Sequence, residues 1–417
     1  MSSNEEKLIN EYIVSFKNKD VIVETIISEN KTELAIFTKK TRNIVKKDFY
    51  VVGNIRYLPI KLSSNLLSTG TLLLRKGIKP YWCKNDLLKE IQGYIYEYVD
   101  IPDNYRIIVS YYVLLTYVYE KFSEIPYLRV IWDYGSWKSR LLKVVSSICY
   151  NSVLTTWWTS QSALFRTINK VRWTLMLDEA DFWYTWVESD IIKLLNNWYQ
   201  KGFPLMKADG DKFDVNTYQV FWPKIIWWRY EFRDKATESR CLTNIMERSL
   251  RKDIPTWLNK RFDEKTDELR SKLIKFRYDN FDKIIVKSDL IKGLEPRLSQ
   301  IINPIISLID DNDIKDLIIK SVLDKQSEIK EDRKNSIFWW ILEYLKSSCQ
   351  WRNEFNFWDI LNSLDGTDWK HNITHRKLWS ILKQNKLKTI RKNKWMVLPY
   401  DDNMKELEKL YKEYWVK

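Results

Sequence analysis

Glycine is the scarcest ingredient of this 417-residue chain. It occurs 9 times, against roughly 29 at an ordinary usage of about 7%. Cysteine is sparse as well: Cys83, Cys149, Cys241 and Cys349 lie far apart with no CxxC pair, and His371 and His375 are the only two histidines. That excludes a disulfide-stapled fold and leaves no spacing that suits a zinc site. Long apolar runs are missing too. The longest strongly apolar uncharged run, Ile107 to Tyr119, has 13 residues, too short to span a bilayer and typical of a buried helix. The opening residues, Met1-Ser2-Ser3-Asn4-Glu5-Glu6-Lys7, lack the basic and apolar regions of a secretory signal. The expectation is a soluble, cytoplasmic protein with reduced thiols.

Tryptophan and positive charge are in excess. The chain has 21 Trp, and with the 9 Gly these make 30, close to the glycine count expected for the length. The reading this invites is that many written tryptophans stand where the functional protein has glycine. That happens when UGA codons read as glycine in the source, a code some uncultivated bacterial lineages use, are translated as tryptophan. The alternative is a truly Trp-rich protein with aromatic stacking sites, and where the tryptophans fall decides between them. Lys and Arg number 69 against 55 Asp and Glu, for a net charge of +14, which favours a polyanionic partner, nucleic acid foremost.

Residues 8 to about 62 alternate in the manner of strands, as in Val21-Ile22-Val23-Glu24-Thr25-Ile26-Ile27. Two helices are expected at about 86–99 and 104–122, leading into an apolar strand at 127–131. Short apolar strands at 153–156, 174–178, 224–227 and 242–246 then alternate with helices, a rhythm that predicts a three-layer α/β fold with a largely parallel sheet. The division expected is an N-terminal β-rich module (1–84), an α/β domain with its leading helices (85–255), a helical region (256–350) and a compact basic domain (351–417).

Directly after the 127–131 strand comes Trp132-Asp133-Tyr134-Gly135-Ser136-Trp137-Lys138-Ser139-Arg140, and then the helical Leu141 to Val145. With glycine at 132 and 137 it reads GDYGSGKS, a full match to the phosphate-binding loop GxxxxGK[ST] between a strand and a helix. Both mismatches are tryptophan. The loop's backbone N–H groups must wrap phosphates, which requires left-handed dihedrals and no side chain in the anion's space. Some 40 residues on, Thr174-Leu175-Met176-Leu177-Asp178-Glu179 is an apolar strand ending in two acids. In this reading ATP lies on residues 132–140, Lys138 neutralises its β- and γ-phosphates, Ser139 and Asp178 hold Mg²⁺, and Glu179 polarises the attacking water.

On these motifs residues 127–248 resemble the core of an AAA+ type P-loop ATPase, especially the helicase-like ATPases of phages and mobile replication elements. Trp157, Trp158, Trp173, Trp222, Trp227 and Trp228 also stand where such a core wants glycine. The resemblance implies a homo-oligomer in which Arg240 serves as an arginine finger or second sensor, with Arg233 the weaker candidate. A surface arginine pairing with Glu238 or Asp234 is the alternative. It also implies a polar first sensor, for which Ile225-Ile226-Trp227-Trp228 offers nothing and Asn216 or Thr217 are only substitutes.

Two segments point to DNA. Asp209-Gly210 marks a hairpin within 203–213, either an ordinary solvated surface hairpin or one resembling the channel hairpin of ring translocases, with Lys207 and Lys212 able to reach phosphates. From His371 to Trp395 there are eight basic residues and no acid. Helices at 357–364 and 374–384 and a ribbon at 388–398 resemble a winged helix, placing Thr374, His375, Arg376, Lys377, Lys383, Lys388, Arg391, Lys392 and Lys394 near DNA; a protein-docking winged helix with a solvated basic face is the alternative. The function expected is an ATP-dependent, helicase-like ATPase acting on single-stranded or forked DNA, without a membrane partner. Its alternatives are an ATP-switched DNA-binding regulator, or an inactive ATPase if the tryptophans at 132 and 137 are genuine.

Overall fold

The computed structural model describes residues 8–132, 138–156, 173–178, 195–208, 215–228, 232, 234–246, 249, 251–287, 291, 294–334, 337–364, 373–392 and 395–413. The chain divides into two compact units, residues 1–319 and 320–417.

In the first unit, strands β1 (Ile9–Ile13), β2 (Ser15–Lys17), β3 (Val21–Ser28), β4 (Lys31–Thr38), β5 (Ile44–Lys47), β6 (Tyr50–Val52) and β7 (Ile55–Pro59) form two small sheets. One is antiparallel in the order β2-β3-β4-β5; the other runs β1-β7-β6, with β1 parallel to β7. The period-2 pattern of β3 and β4 sends Val21, Val23, Leu34 and Ile36 onto Ile13 and Tyr57 of the other sheet. The opposite face is covered as well. Glu24 and Phe37 are buried there, and Phe37 stacks on Tyr278 of the helix Lys260–Asn280 at 4.9 Å.

The larger sheet contains β8 (Tyr127–Trp132), β9 (Val153–Thr156), β10 (Leu175–Asp178), β13 (Lys224–Trp228) and β14 (Cys241–Met246), while β11 (Leu205–Ala208) and β12 (Val215–Tyr218) form a separate antiparallel pair. Its order is β14-β8-β13-β10-β9, with every pairing parallel. A parallel sheet is covered on both faces, so its strands read as continuous apolar runs rather than alternating ones. Leu128, Val130 and Ile225 close against Val109 of the helix Asp103–Val118 and Leu141 and Val145 of the helix Lys138–Ile148, leaving a void of only about 10 Å³. Among the described residues no helix is long and apolar enough to cross a membrane, and all four cysteines are free.

The helices Lys260–Asn280, Pro296–Ile306, Asn312–Lys334 and Ile337–Ser348 follow. In the second unit β15 (Glu354–Asn356), β16 (Ile390–Lys392) and β17 (Trp395–Pro399) form an antiparallel sheet in the order β15-β17-β16. It accompanies the helices Phe357–Asn362, His375–Gln384 and Tyr400–Glu413. Phe338, Ile341, Leu345, Phe355, Ile360, Leu378, Leu382, Leu398 and Leu407 make its core.

Candidate functional site

Strand β8 ends at Trp132 and a helix begins at Lys138. Asp133, Tyr134, Gly135, Ser136 and Trp137 lie outside the described residues, as does Glu179, and the side chains of Trp132, Lys138, Ser139 and Asp178 are not described. The backbone nevertheless places the ends of the motifs together. Asp178 closes β10, paired with Thr156, and Trp132 closes β8, paired with Met246. Because all five strands are parallel, both ends lie on the carboxyl edge of one sheet, with β13 alone between β8 and β10. Two strand spacings amount to about 10 Å. The edge is also a switch point: from β8 the chain goes to β9, beyond β10, whereas from β13 it goes to β14 on the far side of β8. Open α/β sheets bind ligands in the crevice where connections part in this way. The helix Lys138–Ile148 has no acid in its first turn, so no carboxylate of that turn offsets the positive end of its dipole.

Two arginines are engaged within the chain: Arg140, in the helix that begins at this edge, and Arg240, which precedes Cys241 of β14 and so lies at the opposite, amino edge of the sheet. Arg140 donates to the carbonyl oxygens of Pro255 and Thr256, and partial burial lowers its pKa. Arg240 is 6% exposed; its guanidinium donates to Asn196 Oδ1 and the Ala236 carbonyl and lies 4.3 Å from the Tyr199 ring centroid. Reaching a neighbouring subunit from here means breaking those contacts. Asp234 accepts from Asn196 Nδ2 at 2.6 Å and from the Thr237 hydroxyl at 2.8 Å. Burial opposes its ionisation, but these hydrogen bonds hold its carboxyl below the ordinary range. Arg233 lies outside the described residues, Thr217 is exposed on β12, and the Asn216 side chain is not described.

Glu238 pairs not with Arg240 but with Arg129, a fully buried arginine on β8. Both carboxylate oxygens take guanidinium hydrogens, the Phe232 N–H donates to the same carboxylate at 2.9 Å, and Arg129 Nε reaches Thr243 Oγ1 at 3.1 Å. The sequence reading missed this residue. Its signal was there to find: a single charge inside the apolar run Tyr127 to Ile131 of a strand covered on both faces.

Lys224, at the start of β13, is also fully buried. Its side-chain nitrogen lies within hydrogen-bond distance of the carbonyl oxygens of Trp222 at 2.7 Å, Trp198 at 3.1 Å and Val220 at 3.4 Å. The rings of Tyr127, Trp198 and Trp222 surround it at 5.1–5.5 Å. Burial lowers its pKa well below the usual lysine value. The unfolded chain therefore binds a proton that the folded chain releases, so stability rises with pH between the folded and unfolded pKa values. The wild-type melting temperature is expected to rise relative to that of Lys224→Met as pH goes from 7 to 10. Parallel melting curves across that range would refute the assignment.

In the hairpin β11–β12, Lys207 pairs with Asn216 in register; its side chain is not described, and Lys212 lies outside the described residues. In the second unit, Thr374 caps the helix His375–Gln384, its hydroxyl accepting from the Lys377 N–H at 3.3 Å. His375 stacks on Trp358 at 6.2 Å, and Lys383 sits over the Trp379 ring at 4.6 Å. Arg376, Lys377, Lys388 and Arg391 are exposed, and Lys392 pairs with Glu354. His371 and Lys394 lie outside the described residues. Among the described residues no cluster of His, Cys, Asp and Glu could hold a metal.

The tryptophans occupy two unlike settings. Trp173, Trp198 and Trp222 are at most 3% exposed and packed together, with ring centroids 6.2–6.3 Å apart, yet each leaves its indole N–H without an acceptor. An orphaned buried donor costs about 1–3 kcal/mol, and buried tryptophans ordinarily find a partner. Trp82, Trp257 and Trp351, by contrast, are 81–93% exposed. Glycine would leave neither an orphaned donor nor a bare indole. No described tryptophan has a left-handed backbone, so at these positions the case for glycine rests on surroundings and not on dihedral angle. Trp157 and Trp158 lie outside the described residues.

No protein-family model matches the chain, and no curated protein matches it. Similar solved structures include the apo A form of the C-terminal region of NrS-1, at 11% identity and a TM-score of 0.35, covering 90% of this chain and 96% of that one. Another is JCV helicase with a bound thiazolopyridine acetamide, at 13% identity and a TM-score of 0.29, covering 46% of this chain and 54% of that one. Likenesses this loose leave the functional reading to the residues themselves.

Proposed function

We propose that the chain is a Mg²⁺-dependent P-loop ATPase of the AAA+ kind, working as a homo-oligomer on single-stranded or forked DNA, with residues 351–417 as a winged-helix DNA-binding module. What supports this reading is the shared carboxyl edge, where Trp132, ahead of the helix that begins at Lys138, and Asp178 end strands on either side of β13 at the switch point of one parallel sheet. A hydroxyl, a carboxylate and a helix N-terminus free of acid make a hard-oxygen, anion-accepting set that suits Mg²⁺ and a triphosphate. The metal would neutralise charge on the phosphates. Of the chain's own groups, Lys138 would draw in the β- and γ-oxygens, Ser139 and Asp178 would hold the cation, and Glu179 would orient water. The indoles at 132 and 137 do not suit such a loop, so glycine at both positions is part of the proposal. Lys207 and Lys212 would meet DNA phosphates in the channel, and the exposed Arg376, Lys377, Lys383 and Arg391 would meet them in the winged helix.

The inward-held Arg240 favours a second reading, a regulator that binds ATP as a switch and turns over slowly. DNA-stimulated turnover separates the two. A motor's ATPase rate is expected to rise several-fold with single strands or forks and to fall about 10²–10⁴-fold in Glu179→Gln; a switch's rate would ignore DNA. If the glycine-bearing protein neither binds nor hydrolyses ATP, both readings fail.

A further inference from the structure

The outward face of the three-stranded N-terminal sheet has no place in the reading above, and the register lets its composition be written down. Tyr12 pairs with Leu58 and Asn10 with Arg56 on one side of β7, while Val51 pairs with Arg56 on the other. Tyr57, between them, is turned inward to the core. Side chains alternate along a strand, so Asn10, Tyr12, Val51, Arg56 and Leu58 share the outer face, and Phe49, two residues before Val51, joins them. Tyr12 is 47% exposed, Phe49 42% and Val51 40%. Two half-exposed aromatic rings thus flank a central leucine on a sheet surface that carries no acid.

Each ring has its own cation. The Arg56 guanidinium lies 4.0 Å from the Phe49 ring centroid, and the Lys61 ammonium lies 5.2 Å from that of Tyr12. From Lys39 to Lys61 the chain carries seven Lys and Arg against one acid, Asp48. Asp48 is engaged elsewhere, pairing with Lys31 at 3.2 Å. Half-exposed rings, each with a cation over it, and a positive strand border are what a single strand of nucleic acid can use. Bases stack on the rings regardless of sequence, and the cations meet the phosphates between them. A duplex offers no free base faces to such a surface. An apolar protein partner would make no use of the two ring-borne cations or of the charge imbalance.

We infer that the outer face of the β1-β7-β6 sheet binds single-stranded nucleic acid by stacking bases on Tyr12 and Phe49 while Arg56 and Lys61 contact the backbone. This inference stands apart from the ATP reading, since it involves neither the nucleotide edge nor any tryptophan.

The test is fluorescence anisotropy on the full chain without nucleotide, using labelled dT and rU oligomers of about 12 nucleotides, a length within the range one small β-domain engages. The background carries Lys383→Ala and Arg391→Ala, so that binding through the basic C-terminal segment is not mistaken for the sheet's. Tyr12→Ala and Phe49→Ala are each expected to weaken binding about ten-fold or more, while Tyr12→Phe and Phe49→Tyr retain it. Arg56→Gln and Lys61→Gln are each expected to reduce the slope of log affinity against log salt by about 0.7. Ultraviolet crosslinks to dT should map to Tyr12 or Phe49. Binding of either oligomer in this pattern supports the inference, and the ratio of the two affinities tells DNA from RNA. Unchanged affinity in both alanine variants, or crosslinks confined to other segments, would overturn it. So would a dimer that Tyr12→Ala dissociates while strand affinity stays the same, since the face would then receive a second copy. Both rings are exposed, so melting temperatures of the alanine variants should match the parent and exclude misfolding as the cause.

Discussion

Protein made with glycine at 132 and 137 is expected to bind and hydrolyse ATP, and the chain carrying both tryptophans to bind it at least ten-fold more weakly. The ground is steric. A loop whose N–H groups turn inward on an anion has no room at its first and sixth positions for a side chain, and glycine reaches the left-handed dihedrals that such a loop needs. Ten-fold corresponds to about 1.4 kcal/mol, less than a single lost phosphate contact, so the expected difference is a floor. In the glycine form, Lys138→Ala should lower turnover by about 10²–10³, the usual loss when one preorganised charge partner is removed from a transition state. Two measurements check this: titration with a fluorescent ATP analogue, and phosphate release over time. Equal nucleotide binding by the two forms, or UGG codons at both positions in the coding DNA, would remove the basis for reading tryptophan as glycine.

The second large effect is expected far from the nucleotide edge. Glu24 lies fully buried on β3 and accepts from Tyr150 Oη at 2.7 Å and Arg277 Nε at 3.0 Å, with Arg75 Nη2 at 3.2 Å. Arg277, 1% exposed, also reaches Glu120 at 2.8 Å and the Tyr117 carbonyl at 2.5 Å. Four segments distant in sequence thus meet around one carboxylate: the N-terminal sheet, the Arg75 segment, the Tyr117–Tyr150 region and the helix Lys260–Asn280. Glu24→Ala leaves two buried guanidinium groups facing each other without their shared anion. Breaking a buried pair from one side costs about 3–5 kcal/mol. For a unit of this size the melting temperature should fall by roughly 10 °C. Lys409→Ala, which opens an exposed pair at 3.5 Å, should leave it unchanged. A Glu24→Ala protein that melts like its parent would show that the carboxylate contributes no net stability.

Much of the larger sheet was legible residue by residue. Expected strands at 127–131, 153–156, 174–178, 224–227 and 242–246 appear as Tyr127–Trp132, Val153–Thr156, Leu175–Asp178, Lys224–Trp228 and Cys241–Met246. Local composition suffices for this, because a short run of β-branched and apolar residues bounded by polar ones has few other options. The helix expected at 374–384 with Leu378, Ile381 and Leu382 inward is found at His375–Gln384, with Leu378 and Leu382 fully buried and Ile381 packed beside them, since a 3.6-residue period is likewise local. The helix expected to run to 122 stops at Val118, where a 3₁₀ turn, Tyr119–Lys121, takes over. Helix ends depend on the last few hydrogen bonds and not on the periodic interior.

The amino-acid sequence alone therefore determined which segments are strands and helices, and which residues the proposed phosphate-loop and Asp-Glu chemistry would use, because these follow from neighbours within a few positions along the chain. Only the tertiary structure decided the strand order, which sets β13 between the two motif strands, and the charges drawn into the interior: Arg129 on Glu238, Arg277 on Glu24, Lys224 within its carbonyl cage. Parallel strands joined by long crossovers look alike in sequence, and the buried Arg129 and Arg277 are tolerable only once carboxylates more than a hundred residues away have been brought against them.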